Sequence, residues 1–96
     1  MDKLFSALAQ LACDCGAQKL TLFGSRARGD NHERSDIDLA VYGMPEKQQI
    51  VFLSGVDDLP TLLKFDIVFI DPYTSSDLLT EIDRDGVILY EKDKTR

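Results

Sequence analysis

The segment Asp36-Ile37-Asp38-Leu39-Ala40-Val41-Tyr42 constrains the fold more than any other stretch of the chain. Its alternation is that of a strand. Ile37, Leu39 and Val41 share one face and can enter a core, while Asp36 and Asp38 leave from the other. Aspartate is a poor strand former, and like charges at successive same-face positions repel. The pair disfavours its own strand unless a cation neutralises it, and such local inconsistencies tend to mark functional sites.

Around that strand the other elements follow from periodicity and punctuation. Leu4, Phe5, Leu8, Leu11, Ala12 and Cys15 have helical spacing from Asp2, a capping residue, to a stop at Gly16. Lys19–Phe23 reads as a strand ended by Gly24, and Ser25–Arg28 as a brief helical turn broken by Gly29-Asp30-Asn31. After Gly43-Met44-Pro45 a helix is expected from about Glu46 to Asp57, although Ile50-Val51-Phe52 would also suit a strand. Lys64–Ile70 is a third strand. Thr74 or Ser75 caps a helix running through Leu78, Leu79 and Ile82 to Gly86, and Val87–Tyr90 is the last strand. The expected architecture is α+β, sandwich-like: a small mixed β-sheet of about four strands with helices mainly on one face.

The chain has 96 residues, which is room for one domain, residues 1–96, with about 91–96 a frayed charged tail. Apolar residues at 44% and charged residues at 29% exclude a disordered profile. The net charge of −6 argues against binding duplex nucleic acid, which needs clustered positive charge. Against that background Arg26, Arg28 and Arg34 crowd one short stretch, either a solvated loop or a place that handles an anion. No apolar run approaches the ~20 residues that span a bilayer, and no secretory signal is expected at the start. Cys13 and Cys15 point to different faces of the first helix, so neither a disulfide framework nor a zinc site is supported. A reducing, cytoplasmic setting is expected.

Asp66, enclosed in Lys64-Phe65-Asp66-Ile67-Val68-Phe69-Ile70, is either paired with Lys64, Arg28 or Arg34, or is a ligand. If its strand lies beside Asp36 and Asp38, three hard carboxylates suit Mg²⁺ or Mn²⁺. Gly24 permits close backbone approach, and Ser25 offers a hydroxyl and a helix-start N–H to a phosphate oxygen. Several other features have plain structural uses. His32 is expected to be exposed, and Tyr42 and Tyr90 to pack. Tyr73 sits in a turn, where stacking on a nucleobase is the alternative. Asp57-Asp58 and Asp83-Arg84-Asp85 read as solvated helix ends. Ile50-Val51-Phe52-Leu53 exceeds one amphipathic stripe, leaving both core burial and an interface open.

Gly24-Ser25, ten intervening residues and then Asp36-x-Asp38 should occur by chance in roughly one in a thousand chains of this length. The pattern resembles the signature of the DNA polymerase beta-like nucleotidyltransferase superfamily. Phe23-Gly-Ser-Arg-Ala-Arg-Gly29 followed by Ser35-Asp-Ile-Asp-Leu39 is similar to its minimal nucleotidyltransferase (MNT) branch, across essentially the whole chain. The resemblance implies a nucleotidyltransferase core that moves AMP from ATP to a hydroxyl with two Mg²⁺ ions, or Mn²⁺ in their place. Asp36, Asp38 and Asp66 would be the metal ligands and catalytic carboxylates. Gly24 and Ser25 would grip the phosphates, with Arg26 or Arg28 touching one or holding the loop against Asp30, Glu33 or Asp36.

Stand-alone members of the branch are partnered with HEPN toxins in prokaryotic toxin–antitoxin pairs. The resemblance therefore implies an antitoxin in a hetero-oligomer that transfers AMP to a tyrosine of a HEPN ribonuclease. The size fits, since the acceptor is then expected on another chain. Two alternatives stay open: a non-catalytic antitoxin acting by tight binding, and nucleotidyl transfer to a small molecule or RNA end.

Overall fold

In the computed structural model, residues 2–32 and 35–92 are described. Eight elements follow one another: α1 (Asp2–Asp14), β1 (Lys19–Phe23), α2 (Ser25–Arg28), β2 (Ile37–Tyr42), α3 (Glu46–Asp57), β3 (Phe65–Ile70), α4 (Ser76–Asp85) and β4 (Val87–Glu91). This is the expected order, and the helical reading of 46–57 prevails over the strand. Glu33, Arg34 and 93–96, on which part of the arginine cluster and of the expected tail fall, lie outside the described residues.

Local chemistry sets the boundaries. Asp2 opens α1 from within its first turn. Gly16, at φ +81°, ends that helix, and the Ala17 N–H reaches back to the Ala12 carbonyl at 3.0 Å in the six-residue closure that a left-handed glycine allows. Pro45 stands just ahead of α3. Of the two expected caps for α4, Ser75 takes the role, its hydroxyl accepting from the Leu78 N–H at 3.2 Å. Thr74 instead joins Asp71 in the preceding turn.

The sheet order is β3-β2-β1-β4. β1 is antiparallel to both neighbours, and β2 is parallel to β3. A parallel pair needs a crossover, and α3 supplies it between β2 and β3. Ile37, Leu39 and Val41 do enter the core. They pack with Leu20 and Leu22 of β1 beneath Leu8 and Ala12 of α1 and Phe52 and Val56 of α3. The Phe52 ring meets Phe69 of β3 edge to face at 6.3 Å. The opposite face is smaller: Phe23, Ala40 and Ile82 under α4, with Tyr42, Val68, Ile70 and Leu78 around them. The two longest helices thus share one face and α4 lies on the other. Cys13 is exposed and Cys15 buried, both as free thiols. No helix among the described residues is long and apolar enough to cross a membrane.

Phe52 is wholly buried, so Phe52→Ala removes a ring that nothing nearby can replace. A loss of about 3–5 kcal/mol is expected by denaturant titration, a large share of the stability of a domain this size.

Candidate functional site

β1 runs out where the parallel pair β2 and β3 begins, so three strand ends meet. The register sets Phe23 opposite Asp38 and Asp38 opposite Asp66. Residues in register project from the same face, so the Asp38 and Asp66 carboxylates stand side by side on the face that carries α4. Asp38 is partly buried and Asp66 exposed. Asp36 lies one residue ahead of β2, at the exposed rim of the same face. The structure therefore brings the three sequence-predicted carboxylates to one end of the sheet.

Gly24 is what lets this row close. It leaves β1 at φ +75°, and a β-carbon there would overlap Asp38 Oδ2 and come within 3.0 Å of its Cγ. The Asp38 carboxylate thus lies against bare Gly24 backbone, in a conformation L side chains rarely adopt. The Gly24 carbonyl then accepts from the Ala27 and Arg28 N–H groups, starting α2. Ser25 heads that turn, and its hydroxyl forms no hydrogen bond among the described residues.

Both arginines of the turn hold the loop. Arg26 Nε donates to the Ser35 carbonyl at 3.0 Å, one residue before Asp36. Arg28 Nε donates to Asp30 at 3.1 Å, and its Nη1 lies 3.6 Å from Asp85. Asp30 was an expected partner, whereas Asp85 was expected to be a solvated helix end. Its side chain is only 12% exposed, because α4 turns it inward toward Arg28. Asp57 and Asp58 are exposed, as expected.

The ion pairs among the described residues join Arg28 and Arg84 to Asp30 and Asp85, so no described lysine or arginine pairs with Asp36, Asp38 or Asp66. Of the salt-bridge alternatives for Asp66, those with Lys64 and Arg28 are not realised, and Arg34 lies outside the described residues. Asp38 carries the electrostatic consequence. Burial pushes its carboxyl above the ordinary range, and Asp66, Asp36 and Glu81 push it further, with Arg28 pulling the other way. Glu81 of α4 is a fourth acidic neighbour that sequence reasoning missed. Asp77, Glu81 and Asp85 recur every four residues beside the apolar Leu78 and Ile82, a helical stripe that gives the only hint of it.

Among the described residues no three ligating side chains come close enough to enclose a metal ion by themselves. In kind they suit one. They are hard oxygen donors that form no ion pair with a described lysine or arginine, and Mg²⁺ ordinarily completes its shell with water and substrate phosphate oxygens rather than a protein cage. A cavity of about 500 Å³ lined by Leu53, Val56, Leu63, Phe65 and Ile67 lies on the other face, under α3, away from the carboxylates. His32 is exposed, Tyr42 and Tyr90 pack at the core margins, and Tyr73 is almost fully exposed. The run at 50–53 divides: Phe52 enters the core, while Ile50, Val51 and Leu53 face solvent.

Residues 14–95 match the family described as Polymerase beta, Nucleotidyltransferase. The chain belongs to that family. No curated protein sequence matches it. Among solved structures, this nucleotidyltransferase is similar to a toxin–antitoxin complex with AMP-PNP, at TM-score 0.69 and 23% identity over 94% of this chain and 75% of that one. An MntA–HpeT toxin–antitoxin mutant follows at TM-score 0.68 and 21% identity, over 94% and 75%. A tri-AMPylated Shewanella oneidensis HEPN toxin in complex with MNT antitoxin gives TM-score 0.62 and 21% identity, over 98% and 76%. At these identities the likeness is one of fold.

The acidic row makes two outcomes testable. A carboxyl whose pKa is raised by folding contributes stability while protonated, and that contribution is lost as pH rises from the ordinary aspartate value of 3.8 through the raised value. At neutral pH and without divalent metal, Asp38→Asn should therefore raise Tm, with the gain shrinking as pH falls toward 3.8. Gly24→Ala should lower Tm, because it forces both the φ angle and the Asp38 carboxylate. Thermal melts from pH 7 to pH 4 read both.

Proposed function

We propose that this nucleotidyltransferase is Mg-dependent and moves AMP from ATP to a tyrosine hydroxyl of a HEPN ribonuclease toxin, acting as its antitoxin. The observation that carries the reading is the Asp38–Asp66 row, without an ion-pair partner among the described residues, set against Gly24 at the strand end that leads into Ser25. Family membership and the toxin–antitoxin neighbours support it.

Each residue has a defined task in the transfer. Ser25, with its hydroxyl and the N–H at the head of α2, and the bare Gly24 backbone receive the β- and γ-phosphate oxygens. Arg26 and Arg28 hold that turn, and their guanidinium groups would offset triphosphate charge. Asp36 and Asp38 would hold one divalent metal, and Asp66 would contribute to a second. Divalent metal at these carboxylates would offset charge on the attacking and leaving oxygens. Asp66 takes up the tyrosine proton as the tyrosine oxygen bonds to the α-phosphorus. The bond from that phosphorus to the β-bridging oxygen breaks, and pyrophosphate leaves. An acidic protein can accept an anionic nucleotide here because bound cations reverse the local sign.

The test is transfer of label from α-phosphate-labelled ATP to the purified HEPN partner with and without Mg²⁺. Asp36→Asn and Asp38→Asn should each cut labelling at least about a hundredfold while the fold persists, as removal of transition-state charge stabilisation does. Labelling by both variants at the wild-type rate would contradict the assignment.

A second reading, neutralisation by binding alone, is favoured by the exposed Ile50, Val51 and Leu53 on α3 and Leu62 after it, apolar surface that transfer itself does not use. The Asp36/Asp38 double variant separates the two: cells fully protected from the toxin point to occlusion, and loss of protection points to chemistry.

A further inference from the structure

α2 has only four residues, far too few to be stable alone, so contacts outside it must orient Ser25 against the acidic row. One end is tied through Arg26 to the Ser35 carbonyl, at the entry to β2. The other is tied through Arg28, which bridges Asp30 in its own loop and Asp85 on α4. Asp30 belongs to the same loop and cannot fix that loop in space. Asp85 is the anchor that belongs to the body of the fold.

The placement of Asp85 is costly by itself. It is the last residue of α4, where the partial negative charge of the helix end disfavours a carboxylate, and its side chain is only 12% exposed. Two arginines offset this, and their roles differ. Arg84 is its chain neighbour, is 66% exposed, and reaches it at 3.0 Å without touching α2. Arg28 alone carries the contact to the phosphate turn. A partly exposed ion pair of this kind adds little to stability, too little to explain a covered carboxylate as a fold-stabilising device.

We propose that Asp85 is a positioning residue for nucleotide binding, acting through Arg28 to hold the Gly24-Ser25 turn in register with Asp38. The inference rests on the nucleotide-binding reading of that turn. The link runs from α4, whose Glu81 also faces Asp38, so one helix borders both the phosphate turn and the acidic row.

The experiment is calorimetric titration of Mg·ATP into the intact protein, with Tm recorded for every variant. Asp85→Asn should weaken Mg·ATP binding about tenfold, the usual effect of losing a group that orients a ligand-binding residue. Tm should move little. Asp85→Glu should restore much of the affinity, and Arg84→Gln should leave it unchanged. In an Arg28→Gln background, Asp85→Asn should add nothing, because the anchor has lost the residue it acts through. Unchanged affinity in Asp85→Asn overturns the inference. So does tighter binding, which would mean that Asp85 merely competes with phosphate for Arg28, or an equal loss in Arg84→Gln. Should Asp85→Asn fail to fold, Asp85→Ser takes its place, alone and in the Arg28→Gln background, and decides on the same terms. Failure of wild-type protein to bind Mg·ATP would count against the nucleotide reading itself, a separate result.

Discussion

The interaction on which the site depends is a repulsion. Asp38 and Asp66 are held in register on neighbouring parallel strands, with Asp36 at the rim and Glu81 across from them on α4. Like charges side by side on neighbouring strands repel, and they subtract from the small margin that holds a domain together. Arg28 offsets the repulsion only in part, and no described lysine or arginine forms an ion pair with the row. Burial first and the neighbouring carboxylates second raise the pKa of the Asp38 carboxyl, and a cation bound there would favour its charged form.

Topology is what keeps the row from flying apart. β2 lies inside the sheet, hydrogen-bonded on both edges, and its other face is locked into the core by Ile37, Leu39 and Val41. Slipping it by one residue would turn those three toward α4 and the aspartates into the apolar core, so register is fixed far from the charges. α3 makes β3 parallel to β2, which is why Asp66 starts its strand beside Asp38 rather than at the far end. β1 arrives antiparallel and delivers Gly24 to the same place. The long segment over 24–36 that replaces a tight hairpin has room for the Ser25 turn, a use consistent with the functional role of most long ordered connections.

Much of this was legible beforehand, because the signals were local. Helix ends at Gly16 and Ser75, the alternation in β2 and the glycine after Phe23 each act over a few residues. Asp36, Asp38 and Asp66 could be singled out because charge there interrupts an apolar strand, and Gly24-Ser25 because of its spacing ahead of Asp36-x-Asp38. What escaped was set by tertiary contact. Asp83-Arg84-Asp85 has the composition of any solvated helix end, and only packing of α4 against β1 brings Asp85 to Arg28. Glu81 was hidden similarly, as an ordinary polar position on an amphipathic helix. The division of the 50–53 run, Phe52 inward and its neighbours outward, also depends on where α3 crosses the sheet.

The central claim is that the acidic row performs AMP transfer to a partner protein, and the most direct measurement is intact mass of a HEPN partner co-expressed with this chain. The account predicts a mass increase in whole units of AMP on the partner with the wild-type protein and none with Asp38→Asn. An unmodified partner that is nonetheless neutralised by the wild-type chain would contradict it.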